Sequence, residues 1–189
     1  MTSIILASAS PRRADLLKWA GVDFKIHPVD LDENRLAGET PAAQAARLAR
    51  EKALAGDHGA SLVLGADTIV ALGDRSLGKP ADPAEARSHL ADLSGRTHQV
   101  ITAFCLTAAG KVLSAQAVLS LVAFRPLTRA MIEDYTASGE GLDKAGAYGL
   151  QGRGWSLIEN VEGSLTNVMG LPLTEVLAAL DRNRAPGCL

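Results

Sequence analysis

The segment Ser8-Ala9-Ser10-Pro11-Arg12-Arg13 places two hydroxyls and two guanidinium groups directly after the apolar run Ile4-Ile5-Leu6-Ala7. The run reads as a short buried strand, and Pro11 suits the first position of a helix, where a missing N–H lacks a partner anyway. Ser10 is then the expected N-cap of a helix that runs through Leu16, Leu17 and Ala20 and stops at Gly21. A strand feeding a helix N-terminus aims free backbone N–H groups and the positive end of the dipole at one spot. Arginine forks onto phosphate oxygens bidentately, which makes phosphate the anion best suited to that spot. A capped helix with two solvated arginines accounts for the hexapeptide alone equally well.

Asp67 is the next residue whose position carries chemistry. Leu62-Val63-Leu64 opens a buried strand, Gly65-Ala66-Asp67-Thr68 interrupts it, and Ile69-Val70-Ala71-Leu72 resumes it. Burying an unpartnered carboxylate is costly, so Asp67 is expected at a strand end or facing a cavity, with a cation or metal beside it. A solvated bend is the plain alternative. Lys52 closes a helix, and Lys79 stands in Gly78-Lys79-Pro80, where Pro80 forces an extended geometry and Gly78 lets backbone approach closely. Such a lysine can clamp a phosphate, although each lysine taken alone reads better as a solvated charge. In the glycine-rich stretch Asp143–Gly152, Tyr148 offers a stacking face and Gln151 an amide suited to a nucleobase edge. A long loop packing on itself explains the same stretch.

These groups need a scaffold, and the chain alternates between elements that can supply one. Phe24–Val29 reads as a strand and Asp30–Gly38 as an acidic loop. Thr40 and Pro41 start a helix that runs to Gly56, and Gly73-Asp74 makes a turn. Asp82-Pro83 starts a helix ending at Ser94-Gly95. His98–Ala108 and Val112–Phe124 alternate around Gly110-Lys111 as a long hairpin. Thr128 caps a helix over Arg129–Ala137, Ser156–Val161 is a strand ending at Glu162-Gly163, and Leu173–Leu180 is a last short helix. Helices between strands, together with a hairpin, make a mixed α/β sheet.

With 189 residues the chain fits one domain, or one domain of two lobes. Only 4% of residues are aromatic, so the core must be built from Ala, Leu, Val and Ile. A net charge of −2 gives no basic stripe for bulk nucleic acid, and no apolar stretch has the length of a membrane span. Cys105 and Cys188 have neither disulfide nor zinc spacing, which points to a reducing cytoplasm. No signal peptide is read at the start of the chain. The four histidines (27, 58, 89, 98) are scattered and read as structural. The signatures of P-loop kinases, dinucleotide-binding folds, serine hydrolases and zinc proteases are absent from the sequence.

Ser8–Arg13, Arg50–Ala53, Gly65–Thr68, Gly78–Pro80, Leu93–His98, Asp143–Gly152 and Gly170–Leu173 together resemble, in order, the Maf family of nucleoside triphosphate pyrophosphatases. The resemblance implies an α/β fold similar to that of inosine triphosphate pyrophosphatase, an elongated mixed sheet with flanking helices and two lobes around a deep groove. It would form a single domain over 1–181, with 182–189 as a disordered tail. It implies cleavage of a nucleoside triphosphate between the α- and β-phosphates with a divalent cation, Mg²⁺, Mn²⁺ or Co²⁺. The family's site residues fall on Ser8, Arg12, Arg13, Glu33, Lys52, Asp67, Lys79 and Gln151. Asp67 would be the general base, and Asp67 with Glu33 would hold the metal. Glu33 is placed only by its position in a loop that also carries Asp30 and Asp32.

Gly65-Ala66-Asp67-Thr68 and Tyr148–Gly152 look like the branch acting on dTTP and UTP, with Thr68 and Gln151 helping to choose the base. The implied partner is the triphosphate itself, not nucleic acid or membrane, and the family context admits a homodimer. Gly56–Ser61 and Gly110–Gln116 match nothing in the family pattern, and Trp155 is placed to narrow the pocket. A non-catalytic nucleotide-binding regulator of septum formation and cell division is the competing class, and a phosphosugar-binding α/β protein a third. Asp67 separates the first two, because a binder gains nothing from a carboxylate facing phosphates.

Overall fold

A computed structural model describes residues 4–57, 59 and 61–183. Chain order is β1 (Ile4–Leu6), α1 (Pro11–Trp19), β2 (Phe24–Ile26), α2 (Pro41–Ala55), β3 (Leu62–Leu72), β4 (Arg75–Leu77), α3 (Pro83–Leu93), β5 (Thr97–Ala108), β6 (Lys111–Phe124), α4 (Arg129–Ala137), β7 (Ile158–Glu162), α5 (Leu165–Val168) and α6 (Leu173–Asn183). Local signals fix the helix starts. Pro11, Pro41 and Pro83 occupy first helical positions, and the side chains of Thr40, Asp82 and Thr128 each accept a first-turn N–H. Ser10 is the exception. It stands at the N-cap position without a side-chain cap, and its own N–H donates to Ser8 Oγ at 3.2 Å, so Ser8 does the local bonding.

The strands form one mixed sheet of order β2-β1-β3-β5-β6-β7, with β4 paired to β3. β1 runs parallel to β2 and β3, and the remaining pairs are antiparallel. The expected break at Gly65–Thr68 does not occur. These residues pair without interruption with Cys105–Thr102 of β5, so Asp67 lies in mid-strand rather than at a strand end. The ladder continues because the partners for Asp67 and Thr68 come from other elements above and below the sheet. The opposite edge of β3 is different. β1 covers Leu62–Leu64 and β4 covers Val70–Leu72, which leaves Gly65–Ile69 without a strand partner on that side.

Two apolar cores lie on one face of the sheet. Ile4, Leu16, Leu17, Leu64, Phe104 and Leu180 belong to one, and Val70, Leu90, Val100, Phe124, Tyr135 and Leu157 to the other, with Met169 packed against both. The opposite face of β5 is covered by α2, whose Ala45, Ala49 and Ala53 pack on Ile101, Ala103 and Cys105. The expected mixed α/β sheet with flanking helices is therefore observed.

Several expected boundaries move. β2 ends at Ile26, Gly73-Asp74 closes a hairpin into the unexpected β4, and α5 is an unexpected short helix. Asp181, Arg182 and Asn183 extend α6, where Asn183 donates to the Ala179 carbonyl, so the expected tail does not begin at 182. The rest of that tail, residues 184–189, lies outside the described residues.

Tyr148 does not present the expected stacking face. It is buried, edge-on to Phe124 and His98, and its hydroxyl is 2.7 Å from His98 Nε2. A ring that fills a core with a polar tip satisfied inside has no free face for a base. His98 is structural, as the sequence predicted, and burial pulls its pKa from 6.5 down to about 4. The unfolded chain therefore takes up a proton near pH 6.5 that the folded chain refuses until about pH 4. This contribution is complete above pH 6.5 and is lost as the pH falls toward 4. Between pH 7 and 4.5 it amounts to roughly 2–3 kcal/mol. Urea unfolding of the His98→Gln variant should show a correspondingly smaller acid loss of stability than the parent; identical pH slopes would contradict this origin.

Candidate active site

A cavity of about 610 Å³ opens where the β3 edge is bare, between the end of β1 and the start of β4. Successive side chains of a strand point to opposite faces, so Asp67 faces α2 and Thr68 faces the two cores. Both still line the cavity, because it wraps around the uncovered edge.

On the side of α1, Arg13 is buried and fully directed. Its Nε donates to the Gly170 carbonyl at 2.9 Å, Nη1 to Ser8 Oγ at 3.0 Å and Nη2 to Thr68 Oγ1 at 3.1 Å. Thr68 Oγ1 also meets Thr102 Oγ1 at 3.0 Å, and Thr102 Oγ1 donates to the Asn167 carbonyl at 2.8 Å. The fully buried Asn167 amide spans the Val100 carbonyl, Ser120 Oγ and the Thr102 N–H. Burial lowers the Arg13 pKa, with the nearby charge of Asp67 acting in the other direction. All three hydrogen-bond acceptors of Arg13 are neutral oxygens.

On the side of α2, Gly65 decides the geometry. A Cβ there would lie 2.3 Å from the Ala49 carbonyl oxygen and 2.4 Å from the Ala53 nitrogen, so only glycine lets the helix backbone settle on β3. This brings Lys52 over Asp67. Lys52 Nζ donates to Asp67 Oδ1 at 2.7 Å and to Glu33 Oε1 at 2.5 Å. Lys52 and Asp67 are both buried, and the charge pair explains how the strand tolerates a carboxylate. Burial pushes the Glu33 carboxyl up, but the hydrogen bond and charge of Lys52, then Lys79, hold it below the ordinary value. Gln44 fixes the Glu33 loop by donating to its carbonyl at 3.2 Å and accepting from Ser76 Oγ of β4. Lys79 is largely exposed, with Nζ 4.0 Å from Glu33 Oε2.

The glycine-rich stretch closes the third side. It packs tightly on itself: a Cβ on Gly154 would lie 1.7 Å from the Gly149 carbonyl oxygen. Glu140 knits it together, accepting from Tyr135 Oη at 3.1 Å, the Arg153 N–H at 2.8 Å and the Gly154 N–H at 3.1 Å. Gly146 N–H donates to the Gly78 carbonyl and ties the stretch to the Lys79 tripeptide. Gln151 lines the cavity, half-buried, and no hydrogen bond of its amide is observed among the described residues. Trp155 is half exposed and does not line the cavity, so it does not narrow it.

All the residues expected to form the site therefore meet at one cavity, and the two arginines divide. Arg13 is interior, whereas Arg12 is partly exposed and paired with Asp143 at 3.1 Å. Five cations line the cavity: Arg12, Arg13, Lys52, Lys79 and Lys144. Among the described residues only Arg13 of these lacks a carboxylate within 4.0 Å. An interior guanidinium bonded only to neutral oxygens can receive an anion, and a lysine-oriented carboxylate beside it can accept a proton. The sequence reading did not single out Asn167, Glu140 or Gln44. Ser164, whose side chain caps α5 by accepting from the Asn167 N–H, was the one local signal toward Asn167.

The role of Gly65 gives a test. Gly65→Ala should destabilise the fold by roughly 1–3 kcal/mol or more, because the clash is with helix backbone. Gly78, whose added Cβ meets nothing within 4 Å, should tolerate alanine with a change within about 0.5 kcal/mol. Urea unfolding of both variants checks this, and equal losses would contradict the close-approach explanation.

A family model described as "Maf-like protein" matches residues 3–183. A dTTP/UTP pyrophosphatase of Myxococcus xanthus is 49% identical over 187 residues, covering 98% of this chain and 94% of the relative. One from Alcanivorax borkumensis is 46% identical over 182 residues, covering 94% of each. Among solved structures, a HAM1 protein from Coxiella burnetii aligns with a TM-score of 0.54 over 96% of this chain and 100% of its own, at 17% identity, a likeness of fold alone. Matched by its family model from residue 3 to residue 183, the chain belongs to the Maf family.

Proposed function

We propose that this protein hydrolyses dTTP and UTP between the α- and β-phosphates, releasing the nucleoside monophosphate and pyrophosphate. One observation carries the reading: the buried Lys52–Asp67 pair and Arg13, which has no carboxylate within 4.0 Å among the described residues, face the same cavity. The relatives named dTTP/UTP pyrophosphatase support the choice of substrate.

The phosphate chain is received by Arg13, the Ser8 region and the free N–H groups at the start of α1. Lys52 holds Asp67 in one orientation through the 2.7 Å contact, and Asp67 accepts the proton of the water that attacks the α-phosphorus. Arg12 and Lys79, at the rim, balance the charge that develops on the leaving pyrophosphate. Gln151, with its amide unspent on protein, is assigned to the base edge, where pairing with the carbonyls and N–H of a pyrimidine rejects bases that leave it unsatisfied. Thr68, engaged by Arg13 and Thr102, serves the phosphate cradle.

Mg²⁺, Mn²⁺ or Co²⁺ fits this site. Glu33 and Asp67 present hard oxygen donors around one ammonium, and such ions are commonly held by one or two carboxylates plus substrate phosphates. The described residues contain no cluster of three or more His, Cys, Asp or Glu able to hold an ion, so phosphate oxygens would complete the coordination. When bound, the ion supplies charge neutralisation on the phosphate oxygens. No described helix is long and apolar enough to cross a membrane. Placement with the nucleotide pools of the cytoplasm rests on the cysteine usage.

Hydrolysis of dTTP in ¹⁸O-labelled water should put the label in dTMP, with pyrophosphate unlabelled and no dTDP formed. Orthophosphate and dTDP as primary products would overturn the reading in favour of γ-phosphate removal.

A further inference from the structure

The carboxylate of Asp143 lies beside Arg12 in the lining of the cavity. Its Oδ2 accepts from Arg12 Nη1 at 3.1 Å, and its Oδ1 accepts from Lys144 Nζ at 2.5 Å. Arg12 belongs to α1 and Asp143 to the glycine-rich stretch, 131 positions away, so the pair joins the two sides of the cavity. It is the one salt bridge between those two segments among the described residues. Lys144 is separately anchored to the Glu140 carbonyl, so the stretch does not depend on Asp143 for its shape. Burial works to raise the Asp143 carboxyl, but Lys144 and then Arg12 outweigh it and hold it below the ordinary carboxylate value.

We infer that Asp143 is a positioning residue that stands in for a phosphate when no substrate is bound, holding Arg12 and Lys144 in place until a phosphate chain displaces it. The inference rests on the triphosphate reading of the site. Carboxylate and phosphate compete for the same guanidinium fork. A lone phosphate that reaches Arg12 merely exchanges one anion for another and gains little. Linked phosphates that engage Arg13 and Lys79 as well can displace the carboxylate, so the contact favours longer phosphate chains. The same carboxylate, returning to Arg12, competes with pyrophosphate and hastens its release.

The test is calorimetric binding of inorganic pyrophosphate and of orthophosphate to the parent protein, Asp143→Asn, Arg12→Ala and the double variant. Asn is nearly isosteric and the Asp143 side chain is 63% exposed, so the fold should be retained, which the melting temperature checks. Asp143→Asn should bind pyrophosphate about 3–10-fold more tightly and orthophosphate with at least as large a gain, with dTTP KM lowered and product inhibition strengthened. In the Arg12→Ala background the gain should shrink to within about twofold. A merely structural Asp143 would give unchanged or weaker anion binding in the variant, and that result overturns the inference. If the parent protein bound neither pyrophosphate nor dTTP, the triphosphate reading would fall and this inference with it. If it bound both and Asp143→Asn gained nothing, only the role of Asp143 would fall.

Discussion

The guanidinium of Arg13 is buried beside neutral oxygens alone, and much of the polar interior is arranged to hold it there. Gly170 contributes a carbonyl because α5 ends two residues earlier, at Val168, and α5 is pinned by Asn167 to the backbone of β5 and to Ser120 of β6. Thr68 contributes a hydroxyl that Thr102 backs from the neighbouring strand. Ser8 contributes another from the turn into α1. A buried charge satisfied by dipoles alone retains its attraction for an anion, whereas one paired with a carboxylate would have spent most of it. The network thus keeps a cation available without leaving it loose.

The second constraint is the bare edge of β3. If β1 or β4 were longer, Gly65–Ile69 would be paired on both sides and the cavity would be closed. Because β1 turns into α1 after Leu6 and β4 spans only Arg75–Leu77, the edge opens where Asp67 and Thr68 stand. Alternation along the strand then sends neighbouring residues to different tasks. Asp67 meets Lys52 on the α2 face, and Thr68 meets Arg13 on the other. Gly65 completes the arrangement by admitting the backbone of α2 to the strand.

Legibility in the sequence followed the range of the interactions. The starts of α2, α3 and α4 were readable because Thr40, Asp82 and Thr128 bond to N–H groups two or three residues away. The continuity of β3 was not, because the partners that make Asp67 and Thr68 tolerable in a strand lie 15 and 55 positions away, at Lys52 and Arg13. Adjacent Arg12 and Arg13 looked equivalent as letters, yet helical geometry turned one inward and one to the rim. Tyr148 misled because a stacking ring and a core ring have the same local sequence; only its contact with His98, 50 positions away, distinguishes them. Asp143 was visible only as part of a family motif, since its partner Arg12 is set by the tertiary fold. The residues that meet at the cavity were thus legible as a set through the resemblance, whereas their different partners and depths are a property of the packing.

In the proposed reaction Asp67, oriented by Lys52, removes the proton from the attacking water, and that role is open to direct measurement. It is tested most directly by measuring kcat for dTTP in Asp67→Asn together with the affinity for a non-hydrolysable α,β-imido analogue. General-base loss should lower kcat roughly 100–10,000-fold while the analogue binds within about threefold of the parent value. A kcat within about tenfold of the parent, or an affinity loss large enough to account for the fall in activity, would contradict the assignment.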